Sequence, residues 1–407
     1  MAGVVVVGGG AAGDAAALTA RRHGFSAPIT IVSAEPHRPC ERPLLSKELL
    51  SGKRSETDVF IRAESAYANA DVDLRLGVTA TAIDADTREV HLDSGERLAY
   101  DTLVLATGSS ARSLPSFPDA ANVLRLRTRA DALRIRDALQ PASRVFVVGA
   151  GFLGCELAAA ARTRGCSVTL CDVSLAPMTA AVGDAVGAAF ARLHISHGTD
   201  VRMSVTVRSV VLQHGDVAAV ELSDGTRLDV DTVLVAVGAQ PELHLAEDLG
   251  LPLRDGGVAV DAGLRAAPDV FCAGDVATHL HPVLGANVRI EHWQVAQRQG
   301  EHIGRCIATG QDTPHNDVPW FWSDQHDWQL TQAGWPGWSD STVVRGDPKS
   351  SSFTVFHLRR GALIAAISVN DARTVRRART LIAHASAVET GALRDSSIDL
   401  RELAAVS

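Results

Sequence analysis

Two glycine-rich strings in the sequence have the spacing of a cradle for a dinucleotide pyrophosphate. Gly8-Gly9-Gly10-Ala11-Ala12-Gly13 follows the β-branched run Val4 to Val7 and precedes a helix-forming run, Asp14 to Arg22. Gly149-Ala150-Gly151-Phe152-Leu153-Gly154 follows Val145 to Val148 and precedes a second helical run through Arg164. Glycines so placed let backbone approach a pyrophosphate, and the helix beyond supplies N–H donors and the positive end of its dipole. Each string has an acid where a ribose hydroxyl would be bound: Glu35 lies 22 residues after Gly13, and Asp172 lies 18 after Gly154. Two dinucleotides on one chain imply electron transfer between them, with FAD and a nicotinamide the usual pair. No Arg follows Asp172 in Val173-Ser174-Leu175-Ala176-Pro177-Met178. A carboxylate that repels a 2′-phosphate, with no cation nearby to hold one, favours NADH over NADPH.

The elements that would position these residues are two βαβ units. In the first, a buried parallel strand, the glycine turn and the helix lead to a second apolar run, Ile29 to Val32. In the second, the matching run is Val168 to Asp172. A further duplication supports this pairing: Gly95–Gly108 and Gly225–Gly238 share seven of fourteen residues at a constant offset of 130. Each copy reads as a polar hairpin followed by an apolar strand ending in glycine. Val270-Phe271-Cys272-Ala273-Gly274-Asp275 reads as a third strand ending in Gly-Asp, ahead of a helix-like segment. Beyond Asp275, residues 285–305 are expected to be helical, 318–370 β-rich, and Ala372 to Ser386 helical. The expected fold class is α/β: two Rossmann-like dinucleotide-binding domains plus a C-terminal α+β domain. The expected segments are residues 1–112 (FAD-binding, first part), 113–238 (NADH-binding), 239–315 (FAD-binding, second part) and 316–407 (C-terminal).

Length and composition agree with this reading. A chain of 407 residues has a prior of two or three domains, and 46% apolar residues suffice for real cores. A net charge of −8 argues against a nucleic-acid binder relying on overall positive charge. No run of about twenty apolar residues is present, so no membrane partner is expected. Met1 to Gly10 lack a basic n-region, so a cytoplasmic enzyme is the expectation. All six Trp fall within 46 consecutive residues, Trp293 to Trp338.

Taken together, the two fingerprints, Ala106-Thr107-Gly108 and Cys272-Ala273-Gly274-Asp275 resemble the two-dinucleotide flavoprotein reductases of the glutathione-reductase fold. More specifically, Glu35-Pro36-His37-Arg38-Pro39-Cys40-Glu41-Arg42-Pro43-Leu44-Leu45-Ser46-Lys47 resembles the flavin loop of the ferredoxin reductases that serve bacterial haem monooxygenases and aromatic-ring dioxygenases. Pro319-Trp320-Phe321-Trp322-Ser323-Asp324-Gln325 is similar to that family's C-terminal signature, and Arg289-Ile290-Glu291-His292-Trp293 sits where its flavin-facing helix begins. The resemblance covers essentially the whole chain. It implies that Gly8, Gly10, Ala12 and Gly13 hold the FAD pyrophosphate and Glu35 the adenosine ribose. It places Arg42 and Lys47 beside FAD, Ala80 at the adenine end, Arg127 against the cofactor, Asp275 at the ribityl chain and Trp293 at the flavin's pyrimidine edge. Thr107, Gly108 and Gly238 close strands at cofactor-contacting positions. Gly149, Gly151, Gly154, Glu156 and Asp172 would belong to NADH, with Glu156 a partner for Lys47; these two are the candidate catalytic residues. A cation near the reacting end of flavin would stabilise the reduced ring. The implied acceptor is a 2Fe-2S ferredoxin, feeding a haem monooxygenase or ring-hydroxylating dioxygenase.

Cys40 carries a rival reading, because that family commonly has an aromatic before Glu-Arg-Pro. Flavoprotein NADH oxidases, peroxidases and CoA-disulfide reductases on a similar scaffold place one redox cysteine in this loop. A redox-regulated binding protein resembling apoptosis-inducing factor is a third reading. Cys166 and Cys171 lie in or beside an extended strand, where five residues span roughly 16 Å, too far for a disulfide. Cys155, Cys272 and Cys306 show no metal-ligand spacing, and His279 and His281 read as a loop pair; no metal is expected. Residues 345–379 hold eight basic and two acidic residues, either a basic cap that would steer an acidic ferredoxin through Arg376 and Arg377 or ordinary solvated faces of a strand and a helix. Trp320 and Trp322 would shield the flavin edge and meet the partner, while Trp328, Trp335 and Trp338 read as cap-domain core or surface.

Overall fold

The structure is a computed structural model that describes residues 3–404. Met1, Ala2 and residues 405–407, the outermost positions of the expected first and last segments, lie outside the described residues. The chain divides into two compact units: Met1–Glu41, Val59–Ser110 and Gln240–Pro319 form one, and Arg42–Asp58, Ala111–Ala239 and Trp320–Ser407 the other.

In the first unit, Gly3–Val7 is flanked in parallel by Ile29–Ser33 and Arg97–Leu105, with Val72–Leu76 beyond Ile29–Ser33. All five residues of Gly3–Val7 are buried, as a central parallel strand covered on both faces requires. Val270–Cys272 adds in parallel to the far side of Arg97–Leu105. The Trp293–Thr309 helix lies so close to the Ala11–Arg22 helix that a Cβ at Gly300 would sit 2.1 Å from the Ala12 carbonyl oxygen. A Cβ at Gly304 would meet the Ala16 oxygen at 2.4 Å.

The second unit repeats the pattern. Arg144–Val148 lies between Ser167–Asp172 and Thr232–Val235, all parallel, with Asp200–Met203 and Val123–Leu124 at the edges. A five-stranded antiparallel sheet runs in the order Trp320–Gln325, Trp328–Gly334, Ala362–Val369, Phe353–Arg359, Ser341–Gly346, with the Ala372–Ala383 helix following. The duplicated hairpins both form, but differently. The first copy continues as one nine-residue strand, Arg97–Leu105, whereas the second breaks between Arg227–Asp229 and Thr232–Val235. Asp231 at the break receives the Arg144 N–H at 2.8 Å and its guanidinium at 2.6 Å.

Three expectations need correction. Residues 285–305 are not one helix: Ala286–Val288 is a strand paired with Leu280 and its neighbours, and the helix starts at Trp293. His292 stops it there, being extended and accepting the Gln294 N–H on its ring nitrogen. The segment after Gly274-Asp275 is a single 3-10 turn, Gly274–Val276, leading into the strand Ala277–His281. His279 and His281 are therefore buried strand residues, not a loop pair. The last helical run stops at Ala383 rather than Ser386, where Ala385 turns to a φ of 49°.

Candidate functional site

The first glycine string makes a cradle from close backbone approach at Gly8 and Gly13 and open space at Gly10. Gly8 leaves the strand at a φ of 121°, and a Cβ there would lie 2.1 Å from the Ala106 carbonyl oxygen. Gly13 passes the turn so closely that its Cβ would lie 2.0 Å from the Gly8 oxygen. At Gly10 an added Cβ meets nothing within 4 Å. That open space faces the start of the Ala11–Arg22 helix, which has no side-chain cap. The first N–H groups of a helix have no partner within it, so an anion in that space would meet free donors and the positive dipole end.

The second unit builds the same device independently. A Cβ at Gly149 would lie 2.3 Å from the Ala236 oxygen and one at Gly154 only 1.8 Å from the Gly149 oxygen, while Gly151 faces open space. The Phe152–Thr163 helix again lacks a side-chain cap. Both cradles leave room for a pyrophosphate at an uncapped helix start.

Around the first cradle, Glu35 follows the Ile29–Ser33 strand with an oxygen 3.4 Å from His37 Nε2. Ala12 is buried in the first turn of the helix, and Ala80 is buried at the start of Ala80–Asp84. Thr107 donates to the Glu242 carbonyl at 2.9 Å, and the Gly108 carbonyl accepts the Glu242 N–H at 3.0 Å. Asp275 is buried and accepts the Ser109 hydroxyl at 2.6 Å, while the adjacent Gly274 N–H is held by Gln299 Oε1 at 2.7 Å. Trp293 is the first helical residue after the His292 cap, and its Nε1 is buried with no hydrogen-bond partner among the described residues.

In the second unit, Lys47 sits in a π-helical turn, Leu45–Leu49, a form that recurs at functional sites. Its Nζ lies 2.8 Å from Oε1 of Glu156, with both side chains largely buried. Glu156 receives two more donors that sequence reasoning missed: Ser46 on Oε2 at 2.5 Å and Ser323 on Oε1 at 2.6 Å. Both serines stand inside strings that carried the family resemblance, which was the available signal. A guanidinium N–H of Arg42 donates to the Arg127 carbonyl. Arg127 is fixed from the other side by a capping box, in which Asp131 accepts the Arg127 and Thr128 N–H groups and Thr128 accepts from Asp131. Asp172 ends its strand with one oxygen on the Ala150 N–H at 2.6 Å and the other on the Ser174 N–H at 2.7 Å. Gly238 closes its turn at a φ of 101°.

Other candidates fall elsewhere. Cys40 is only 4% exposed, in a backbone bridge with Phe60. All six cysteines are free and buried, and burial pushes the Cys155 and Cys272 thiols well up and Cys171 to about 12. His279 and His281 meet His302 and His315 in one buried cluster, with His315 ring centroids 5.2 to 6.5 Å from the other three. Burial drives all four below the ordinary histidine range, His279 to about 4. No group of three or more His, Cys, Asp or Glu among the described residues could hold a metal ion. The basic stripe is not one solvated face: Arg345 is buried on the Leu393 and Ala392 carbonyls, and Arg377 pairs with Asp399 at 3.1 Å. Arg376 is exposed. Trp320 and Trp322 pack together at 5.7 Å with Arg379 over Trp320, and Trp328 packs edge-on against Phe190. Among the described residues, no helix is long and apolar enough to cross a membrane.

Residues 2–300 match the pyridine nucleotide-disulphide oxidoreductase family, and residues 320–404 match the reductase C-terminal family. The chain is 40% identical over 400 residues to the ferredoxin–NAD(+) reductase component of the anthranilate 1,2-dioxygenase system of Burkholderia cepacia, covering 98% of each chain. It is 35% identical to rhodocoxin reductase of Rhodococcus erythropolis, covering 98% of this chain and 93% of that one. Among solved structures it is similar to the covalent putidaredoxin reductase–putidaredoxin complex, with a TM-score of 0.96 and 33% identity, over 100% of this chain and 98% of that one.

Proposed function

The chain belongs to the pyridine nucleotide-disulphide oxidoreductase family, and from that premise we propose that it is a ferredoxin–NAD+ reductase. It passes electrons from NADH through FAD to a 2Fe-2S ferredoxin that feeds a monooxygenase or ring-hydroxylating dioxygenase, and it works in the cytoplasm. The observation that carries this reading is the presence of two open glycine cradles, each with its acid, in a chain that ends in the reductase C-terminal segment.

Bound FAD would supply the switch between two-electron hydride chemistry with NADH and single-electron transfer. The chain's own residues bind and orient. The uncapped turns at Gly10 and Gly151 would hold the two pyrophosphates through backbone N–H groups. Glu35 and Asp172 would accept ribose hydroxyls, and Asp172 already braces the second glycine loop through Ala150. Asp275, fixed by Ser109, and Trp293, fixed by the His292 cap, would position the flavin end of FAD. Lys47 would present a positive charge where negative charge builds up, and Glu156 keeps that ammonium in one place. Arg42 would act through the Arg127 backbone that it grips. No covalent step by a side chain is needed, and the burial of Cys40 suits a small packing residue better than a redox thiol.

The test is NADH-driven cytochrome c reduction by the flavin-loaded protein, with and without an added 2Fe-2S ferredoxin. Strong stimulation by ferredoxin is expected. Turnover of peroxide or a disulfide that depends on Cys40, without ferredoxin stimulation, would overturn the reading.

A further inference from the structure

The Lys47–Glu156 pair does not stand alone in the second unit. A carboxylate and an ammonium taken out of water lose several kcal/mol of hydration each, on the order of what their attraction returns, unless the remaining lone pairs are satisfied. Glu156 is 7% exposed and Ser323 is 1% exposed. The Ser323 hydroxyl that donates to Glu156 accepts in turn from Gln325 Nε2 at 3.1 Å. Gln325, equally buried, places its second donor near Met178 Sδ at 3.3 Å and its Oε1 3.0 Å from His194 Nε2. Gln325 Oε1 can only accept, so His194 donates through Nε2, and its Nδ1 has no hydrogen-bond partner among the described residues; burial holds the ring below the ordinary histidine range. Read in order, His194 donates to Gln325, Gln325 to Ser323, and Ser323 to Glu156. Each of these three links runs toward the carboxylate that holds Lys47, and such an aligned series strengthens each member.

Resting on the function proposed above, we infer that Ser323 and Gln325 are positioning residues for flavin reduction. The strand Trp320–Gln325 of the C-terminal sheet fixes the carboxylate of Glu156, and through it the ammonium of Lys47. The C-terminal segment would thereby take part in the NADH half of the reaction. The remaining polar groups packed against this chain are consistent with that direction. Ser46 holds the other oxygen of Glu156, and His326 and His197 stack beyond His194, with His197 3.5 Å from Asp327.

The experiment is a double-mutant cycle on the flavin-loaded protein without ferredoxin, using Ser323→Ala and Glu156→Gln singly and together. Two quantities are read: the limiting rate of flavin reduction after mixing with NADH, and the midpoint potential of the bound flavin. Ser323→Ala is expected to lower the rate on the order of ten-fold, to lower the potential, and to leave the apparent NADH dissociation constant unchanged. In the Glu156→Gln background the same change is expected to do nothing further, because Ser323 acts only through that carboxylate. Ser323→Thr should restore both readings. Equal losses in both backgrounds, or an unchanged rate and potential in Ser323→Ala, would overturn the inference. Should Ser323→Ala fail to yield loaded protein, Gln325→Leu enters the same cycle, and additive losses there overturn it equally. Wild-type protein whose flavin NADH does not reduce would instead sink the proposed function itself.

Discussion

Asp172 Oδ2 accepts the Ala150 N–H at 2.6 Å, so the acid that would read the ribose also braces the glycine loop that would hold the pyrophosphate. One side chain would thus couple cradle shape to cofactor choice. Asp172→Ser should remove both the repulsion of a 2′-phosphate and the brace. The expected result is a fall of about ten-fold or more in kcat/KM for NADH, with a smaller fall or a gain for NADPH. Steady-state kinetics with the two cofactors read this directly, and an unchanged preference would show that Asp172 does not set it.

The glycines of the first cradle separate binding from folding. Gly10→Ala puts a methyl group into open space, so the apoprotein should keep its thermal stability while its affinity for FAD drops by roughly ten-fold or more. Gly13→Ala drives a Cβ into the Gly8 carbonyl and should destabilise the protein with or without FAD. Melting curves and FAD titrations on the two variants should therefore move in opposite combinations.

Acid should destabilise the first unit through its four buried histidines. Burial lowers the pKa values of all four in the folded state; neighbouring histidines add to this at His279 and His315, Arg305 adds repulsion at His302 and His315, and Asp312 and Asp317 oppose it at His302. The unfolded chain takes up protons below about pH 6.5, while the folded chain resists until its own lower values, about 4 for His279. Stability is therefore full above the unfolded value and falls as pH drops through this window, by up to about 1.4 kcal/mol per pH unit for each histidine that stays neutral. Denaturation at pH 7 and pH 5 should show the loss, and His315→Asn should flatten it. A slope unchanged by that substitution would acquit the cluster.

Replacing the buried thiol of the flavin loop tests the competing chemistry. Cys40→Ser should leave ferredoxin-dependent cytochrome c reduction nearly intact, because Cys40 is 4% exposed in the loop's packing. The cost should appear in stability, about 1 kcal/mol from placing a hydroxyl in that setting. Abolished turnover in correctly loaded protein would restore the thiol-based reading.

Much of this was legible in the sequence because glycines report backbone geometry directly. Gly8, Gly13, Gly149 and Gly154 are places where no Cβ fits, and their spacing announced both cradles. The pairing of Lys47 with Glu156 was legible only through family resemblance, since 109 residues separate them. Ser46 and Ser323 were missed because a hydroxyl has no local pattern that names its acceptor; only the tertiary fold brings both to one carboxylate. Residues 286–288 carry no strand signal of their own; the strand forms through its hairpin pairing with Ala277–His281, which overrides local preference. The histidine cluster was likewise invisible, its members arriving from a strand, a helix and a loop.

The close seating of Gly300 and Gly304 on the Ala11–Arg22 helix has a consequence for which flavin the protein accepts. Where Gly300 meets Ala12 and Gly304 meets Ala16, the helix that opens at Trp293 and the helix that opens at Gly10 lie so close that a Cβ would run into backbone. The separation between the expected pyrophosphate end and the expected ring end is thereby set as on a fixed gauge. A flavin cut short of its adenosine half would reach only one of the two jaws, and the fold would then sort cofactors by length.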